Sequence, residues 1–234
     1  PYLIAEILSS NIGSAMTITG NPQNMLIGLS SGIPYLDFML HLLPVSFVGM
    51  LLTIAVVKLI YRKEFSDKTI LSYSMESDYK LKDMYASTII FILLVIGFFL
   101  GKILDLPICV IALAAASLII LFSKHKPAAL IKEVDWVLLL FFAALFIVVG
   151  AVRYTGLLDS LLAIPLKDDF AGLLSIHGIS LVMSQILSNV PYTVLMLPLM
   201  ETVNSETLWL ALASASTLAG NATIIGAMAN IIVI

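Results

Sequence analysis

The 234-residue chain is 60% hydrophobic and only 12% charged, with a mean hydropathy of +1.07 and a formal net charge of −3. A soluble domain needs about a quarter of its residues charged to cover its surface, so lipid must be the solvent for much of this chain. No basic stripe is present to meet nucleic acid, and the single cysteine, Cys109, excludes an intrachain disulfide.

A bilayer-spanning helix needs about 20 mostly apolar residues. Residues 1–29 are apolar but interrupted by Gly, Asn and Pro. Residues 38–60 form the first unbroken span. A polar loop follows at 61–83, then spans at 84–101 and 106–122 separated by the turn at Leu104 and Asp105. A second polar loop at 123–134 precedes the span at 136–152. Residues 170–200 are apolar again but broken at Ser188-Asn189-Val190-Pro191, where Pro191 disfavours helix at Val190 and ends the helix before it. A long arm before this break and a short one after it predict a re-entrant hairpin. A Pro-kinked full span is the alternative, and it would undo the inversion argued below. Residues 207–234 are a third interrupted segment.

The basic residues set the orientation. Lys58, Arg62, Lys63, Lys68, Lys80 and Lys82 lie in or beside 61–83, and Lys124, Lys126 and Lys132 lie in 123–134, leaving Lys102, Arg153 and Lys167 for the other side. The positive-inside rule therefore makes loops 61–83 and 123–134 cytoplasmic. The chain reads as a multi-pass protein of the cell (inner) membrane, with Trp136 and Trp209 near segment ends as interface anchors.

An internal repeat is the most informative feature. Thr17, Gly20 and Asn24 recur as Thr223, Gly226 and Asn230 at a constant offset of 206 (223 − 17), giving T-x-x-G-x-x-x-N inside two equally interrupted apolar segments. With the hairpin returning on one side, the two copies run in opposite directions. The fold class is then all-α: a polytopic membrane protein with inverted repeats, discontinuous helices and a re-entrant hairpin. Residues 1–60 read as the end of a first repeat. Residues 84–234 read as a second, comprising three spans, a hairpin about 170–200 and a broken helix at 207–234. With no initiator Met at Pro1 and an apolar run at the other end, the chain reads as an internal part of a longer protein.

Broken helices at matching places of inverted repeats mark the midplane binding site of a transporter. A break frees backbone amides and carbonyls in a low-dielectric medium, where they are tolerated only if they line a cavity or bind something. Half-helix N-termini favour anions and freed carbonyls favour cations, while Asn supplies a donor and an acceptor without charge. The candidate binding residues are Asn11, Gly13, Ser14, Thr17, Gly20, Asn21 and Asn24 in the first break. Gly220, Asn221, Thr223, Gly226 and Asn230 are those of the second, and Ser188, Asn189 and Pro191 those of the hairpin tip. A sodium ion at Ser188, Asn189 and Asn221 is the only cofactor expected. Glu6 and His177 are the candidates for proton coupling.

Other residues read more plainly. Asp37, Asp105, Asp159, Asp168, Asp169 and Glu201 lie at solvated segment ends, and Asp135 reads as a helix N-cap. Arg153 snorkels to the interface. Ala112, Ala114, Ala115, Ala116 and Ser117 suggest close helix contact. No nucleophile, phosphate-binding loop or Cys/His cluster supports an enzyme.

The stretch from Ala5 to Asn24, AEILSSNIGSAMTITGNPQN, resembles the ion transporter superfamily that includes arsenite permeases, citrate and dicarboxylate carriers, the melanosomal P protein and a sodium/proton antiporter branch. The likeness is strongest to the arsenite-permease and anion-transporter side. The run of Asp135 to Phe142, the run of Thr155 to Asp159, and Ser188-Asn189-Val190-Pro191 are similar to that family as well. The sequence departs at Ser14, where a second Gly is usual, at Asn21, where Asp or Thr is usual, and at Val190, where the dicarboxylate branch has Thr. The resemblance implies a secondary active transporter of a small anion or oxyanion, arsenite-like, inorganic or carboxylate, coupled to protons or sodium by alternating access, and a possible homodimer. A sodium/proton antiporter is the alternative and needs a core carboxylate, for which only Glu6 qualifies.

Overall fold

The computed structural model describes residues 2–64, 85–123, 125–156, 166–223, 226, 227 and 230, with the backbone alone at Arg153. The expectations for most of loop 61–83, for Lys124, for Asp159 and for residues 231–234 lie outside these. Every element among the described residues is helical. The chain forms two compact units, Pro1–Asp67 with Ala143–Ile234, and Lys68–Phe142.

In the first unit, residues 1–29 do not make one helix. Helix α1, Tyr2–Ser14, is followed by a single 3-10 turn at Ile18–Gly20 and by α2, Pro22–Ser31. Helix α2 starts where it does because Asn21 is extended and its side chain accepts from the Asn24 amide at 2.8 Å, with Pro22 at the first helical position. It ends at Gly32, whose φ of 68° is the left-handed conformation of a helix C-cap. Helix α3, Tyr35–Ile60, is the first long span and packs on α1, where Gly49 leaves just enough room for Ile12.

The second unit holds α4, Tyr85–Leu104, and α5, Ile108–Phe122, packed through Gly97 and Gly101 against Ile111. Of the small residues expected to make a close contact, only Ala115 is buried. Ala112 is half-buried, and Ala114, Ala116 and Ser117 face outward. A short helix, α6, Pro127–Lys132, lies within loop 123–134, where the sequence predicted none. The division between the units falls within α7, Trp136–Tyr154, whose N-terminus Asp135 caps by accepting from the Leu138 amide at 2.9 Å, as expected.

Three helices complete the first unit: α8, Phe170–Leu187, α9, Asn189–Val203, and α10, Glu206–Ala219. Their directions follow from their contacts. His177 meets Ser214, and eight residues further on Gln185 meets Ala219 and Thr223, so α8 and α10 run parallel. Helix α9 leads from the end of α8 back to the start of α10 and therefore runs against both. The reversal falls at Ser188, with φ 67° and ψ 160°, and the Ser180 hydroxyl donates to the Tyr192 phenol across it. The break thus falls at the first residue of the expected Ser188–Pro191 stretch. Pro191 does not end a helix; it sits in the first turn of α9, where a missing N–H has no helical partner to lose.

Helix α10 is the centre of the unit. Every residue from Leu208 to Thr217 is buried, the pattern of a helix enclosed on all sides. The long helices show the opposite. Phe47 of α3 is 62% exposed, Leu59 74%, and Val137 and Ile147 of α7 78% and 73%. Rows of large apolar side chains facing outward are stable in lipid and not in water. Helices α3, α4 and α8 are each long and apolar enough to cross a bilayer. The protein is a multi-pass membrane protein of all-α class.

Candidate functional site

The first break is held by the Asn24 side chain. Its Nδ2 lies 3.2 Å from the carbonyls of Ser14 and Ala15 and 3.0 Å from that of Thr17, the acceptors that the end of α1 leaves without helical donors. Asn24 is fully buried. Ser14 donates to the Asn11 carbonyl at 2.8 Å and accepts from Asn21 Nδ2 at 3.0 Å. Gly20 has no alternative, because a Cβ there would lie on the Ser14 carbonyl oxygen.

The second break repeats this bonding at the same offset. Asn230 Nδ2 donates to the carbonyls of Gly220 at 2.7 Å and Thr223 at 3.0 Å, as Asn24 does to those of Ser14 and Thr17. The Gly226 amide donates to the Thr223 carbonyl at 3.1 Å, as Gly20 does to Thr17 at 3.2 Å. The Asn221 amide donates to Leu218, as Ala15 does to Ile12. A Cβ on Gly226 would first meet Gln185 Oε1 at 2.6 Å, with the Gly220 carbonyl, the counterpart of that of Ser14, at 3.1 Å. Two segments far apart in sequence thus share these bonds, while the contact of Asn24 with the Ala15 carbonyl has no described counterpart.

The breaks are tied to one another reciprocally. Asn11 Nδ2 donates to Asn230 Oδ1 at 2.7 Å and to Asn221 Oδ1 at 2.8 Å. Thr217 stands at the offset of 206 from Asn11 (217 − 11), and its hydroxyl donates to Asn24 Oδ1 at 3.4 Å. Position 11 of one copy meets position 24 of the other in both directions. Thr217 also accepts from Asn21 Nδ2 at 3.2 Å and Gln23 Nε2 at 3.4 Å, which fills a hydroxyl's capacity. The C-terminal ends of α1 and α10 and the N-terminal end of α2 meet here, so partial negative and positive helix charges face one space. No formal charge belongs to the network.

The hairpin reaches the second break through Gln185. Its Nε2 donates to the Ala219 carbonyl at 2.8 Å and its Oε1 accepts from the Thr223 hydroxyl at 2.7 Å. Ser188 makes the turn. Asn189 is 5% exposed and its Oδ1 has no hydrogen-bond partner. Among the described bonds, none joins Ser188 or Asn189 directly to the breaks.

The remaining expected residues lie apart. Gly13 is half-buried, and a Cβ there would meet only Met50 at an ordinary 3.9 Å. Glu6 is exposed on α1, two turns before Ser14, with no described bond to the network. His177 is outside it too, 3.4 Å from Ser214. Thr217, Gln23 and Gln185 are members that the repeat comparison did not single out. Thr217 is the partner position of Asn11, Gln23 lies inside the first polar cluster, and Gln185 is a lone amide three residues before the hairpin tip.

Residues 1–219 match the citrate transporter family, CitMHS. The chain is 27% identical over 252 residues to a 46 kDa membrane protein of Mycobacterium leprae, covering 100% of this chain and 59% of that protein. It is 29% identical over 250 residues to a protein of Mycobacterium tuberculosis named as an uncharacterized transporter, covering 100% of this chain and 58% of the relative. It is 25% identical over 304 residues to a silicon efflux transporter of Oryza sativa subsp. japonica, again over 100% of this chain and 62% of the relative. The chain thus spans less than two thirds of the length of these relatives.

Proposed function

Because this chain belongs to the citrate transporter family, we propose that its two helix breaks form the binding site of a secondary active transporter for a small oxyanion or its uncharged oxyacid. The chain's family and relatives are transporters and not enzymes. The finer reading rests on one observation, the reciprocal network of Asn11, Asn24, Thr217 and Asn230. It is buried, built of amides and hydroxyls, and contains both donors and acceptors.

That chemistry selects the cargo. A buried multiple charge needs charged partners, and the network has no Lys or Arg to meet a citrate-like anion. A hydroxylated neutral or singly charged acid hydrogen-bonds to amides and hydroxyls without that cost. The printed name of the rice relative, a silicon efflux transporter, agrees with such a solute. Coupling is by protons or sodium. The unpartnered Asn189 Oδ1 suits a sodium ion held with Ser188 and Asn221, since hard cations take oxygen ligands. Transport proceeds by alternating access, with the hairpin entering and leaving on one side of the membrane. The antiporter reading is weaker, because its one carboxylate, Glu6, lies outside the network.

The test uses the full-length protein in proteoliposomes with germanic acid, arsenite, phosphate and citrate as probes under imposed sodium or pH gradients. An oxyacid should be carried, and Asn24→Ala and Asn230→Ala should each lower its flux at least about tenfold, the loss expected when a buried polar partner is removed. Transport of citrate alone, or fluxes indifferent to both substitutions, would overturn the reading.

A further inference from the structure

A cavity of 490 Å³ opens between α3, α8 and α10, lined in part by His41, His177, Glu206, Thr207, Ala211 and Ser214. Its α10 wall is one helical stripe. Thr207, Ala211 and Ser214 share a face, and that face continues to Thr217 and Asn221, which tie the breaks together. The cavity therefore runs from the first turn of α10 about 12 Å inward, at 1.5 Å per residue, and stops one turn from the network.

Both imidazoles are oriented alike. His41 Nδ1 lies 2.7 Å from the Asp37 carbonyl and His177 Nδ1 2.8 Å from the Leu173 carbonyl. A carbonyl only accepts, so each Nδ1 carries the hydrogen and each Nε2 is the nitrogen free to take a proton. His177 Nε2 points to the inner end, 3.4 Å from the Ser214 hydroxyl, which itself donates to the Ala211 carbonyl at 3.1 Å. The other ionisable groups on the surrounding helices are few. Helix α3 brings His41 and, outside the lining, Asp37. Helix α10 brings Glu206. Helix α9 has exposed Glu201, and its Tyr192 is bonded to Ser180. Lys167, Asp168 and Asp169 precede α8 outside the lining, with Asp169 accepting from the Gly172 amide.

We propose that this cavity is the proton entry of the transporter, with His177 as the group that takes the proton at its inner end; this rests on the transport reading above. A proton from water, passed by the Glu206 carboxylate or His41 Nε2, adds to His177 Nε2. The imidazolium then stands about one turn from Thr217 and favours an anion at the break network. Release of the same proton restores the neutral ring, and no bond other than N–H forms or breaks.

The test has two arms on the full-length protein in proteoliposomes. In a Cys109→Ser background, Thr207→Cys, at an exposed position of the lining, should be labelled by a membrane-impermeant maleimide at a rate that changes with pH when taken relative to a free thiol at the same pH. Germanic acid flux should vary at least about fivefold over roughly pH 5 to 8, the range in which imidazole changes charge. His177→Gln should flatten that profile to under about twofold, whatever its effect on the maximal flux. A flux that needs Asn24 and Asn230 yet keeps its full pH profile in His177→Gln overturns the proton entry and leaves the binding site standing. A flux indifferent to both Asn substitutions but flattened by His177→Gln does the reverse. If germanic acid is not carried, or His177→Gln does not fold, labelling decides: a rate that only follows that of a free thiol at each pH, or no labelling, overturns the proposal.

Discussion

Replacing Asn24 is the sharpest probe of the paired breaks. Asn24→Ala withdraws the donor from the carbonyls of Ser14, Ala15 and Thr17, of which only Thr17 keeps a second donor, the Gly20 amide. Two stranded buried acceptors cost about 1–3 kcal/mol each. Adding about 1 kcal/mol for the lost acceptor of Thr217, the variant should fall by about 3–7 kcal/mol, a large part of a typical stability of about 5–15 kcal/mol. Asn230→Ala strands one carbonyl, that of Gly220, because the Gly226 amide still serves Thr223. Its loss should be smaller, about 1–3 kcal/mol plus the acceptor removed from Asn11. Asn24→Asp keeps the shape and loses the amide donor, so it should be no better than Ala. Denaturant unfolding of the full-length protein in detergent, followed by the fluorescence of buried Trp209, measures all three. An Asn24→Asp protein within about 0.5 kcal/mol of the parent, the usual range for a silent substitution, would refute the donor role and with it the repeated bonding.

Three other substitutions test the geometry of the network and the helices beside it. Gly20→Ala places a methyl on the Ser14 carbonyl and should abolish both folding of the break and flux. Gly178→Ala meets nothing within 4 Å and should be silent or slightly stabilising, by up to about 1 kcal/mol for a helix interior; thermal stability of the two variants side by side checks this. Gln185→Leu should leave a folded protein but lower flux at least about tenfold, because it unties the hairpin from Ala219 and Thr223 at a cost of about 1–3 kcal/mol per stranded group. Normal flux in Gln185→Leu would mean that the hairpin does not act on the second break.

The repeat made the structural members of the site legible, and the reason is geometric. A break that must reuse one backbone path needs Gly where the chain crosses a carbonyl and Asn where an amide must bridge several, so Gly20 with Gly226 and Asn24 with Asn230 match by identity. Asn11 and Thr217 also occupy one position but answer it with different chemistry, an amide and a hydroxyl, and an identity comparison passes over them. Gln185 was hidden because it lies within an unbroken helix and acts through space. Pro191 suggested a helix end where it stands in the first turn of the next helix, because proline is tolerated in both places. Helix α6 was missed in a loop whose charges dominate its reading, although Pro127 stands at its first position.

Two kinds of bond divide the site, and the division bears on how it could bind and release. Within each break, side-chain amides serve backbone carbonyls, Asn24 on Ser14, Ala15 and Thr17 and Asn230 on Gly220 and Thr223. Losing these strands main-chain groups in a water-poor interior, so each break moves as one piece or not at all. Between the breaks every described bond is side chain to side chain: Asn11 to Asn221 and Asn230, and Asn21, Gln23 and Asn24 to Thr217. A hydroxylated solute can replace those bonds one for one, because amide and hydroxyl groups exchange partners of their own kind at a net cost of about 1 kcal/mol or less each. Under the proposed function, the seam between the two breaks is where a polar cargo would enter without leaving the backbone unpaired, and its side-chain pairs would let the cargo leave again.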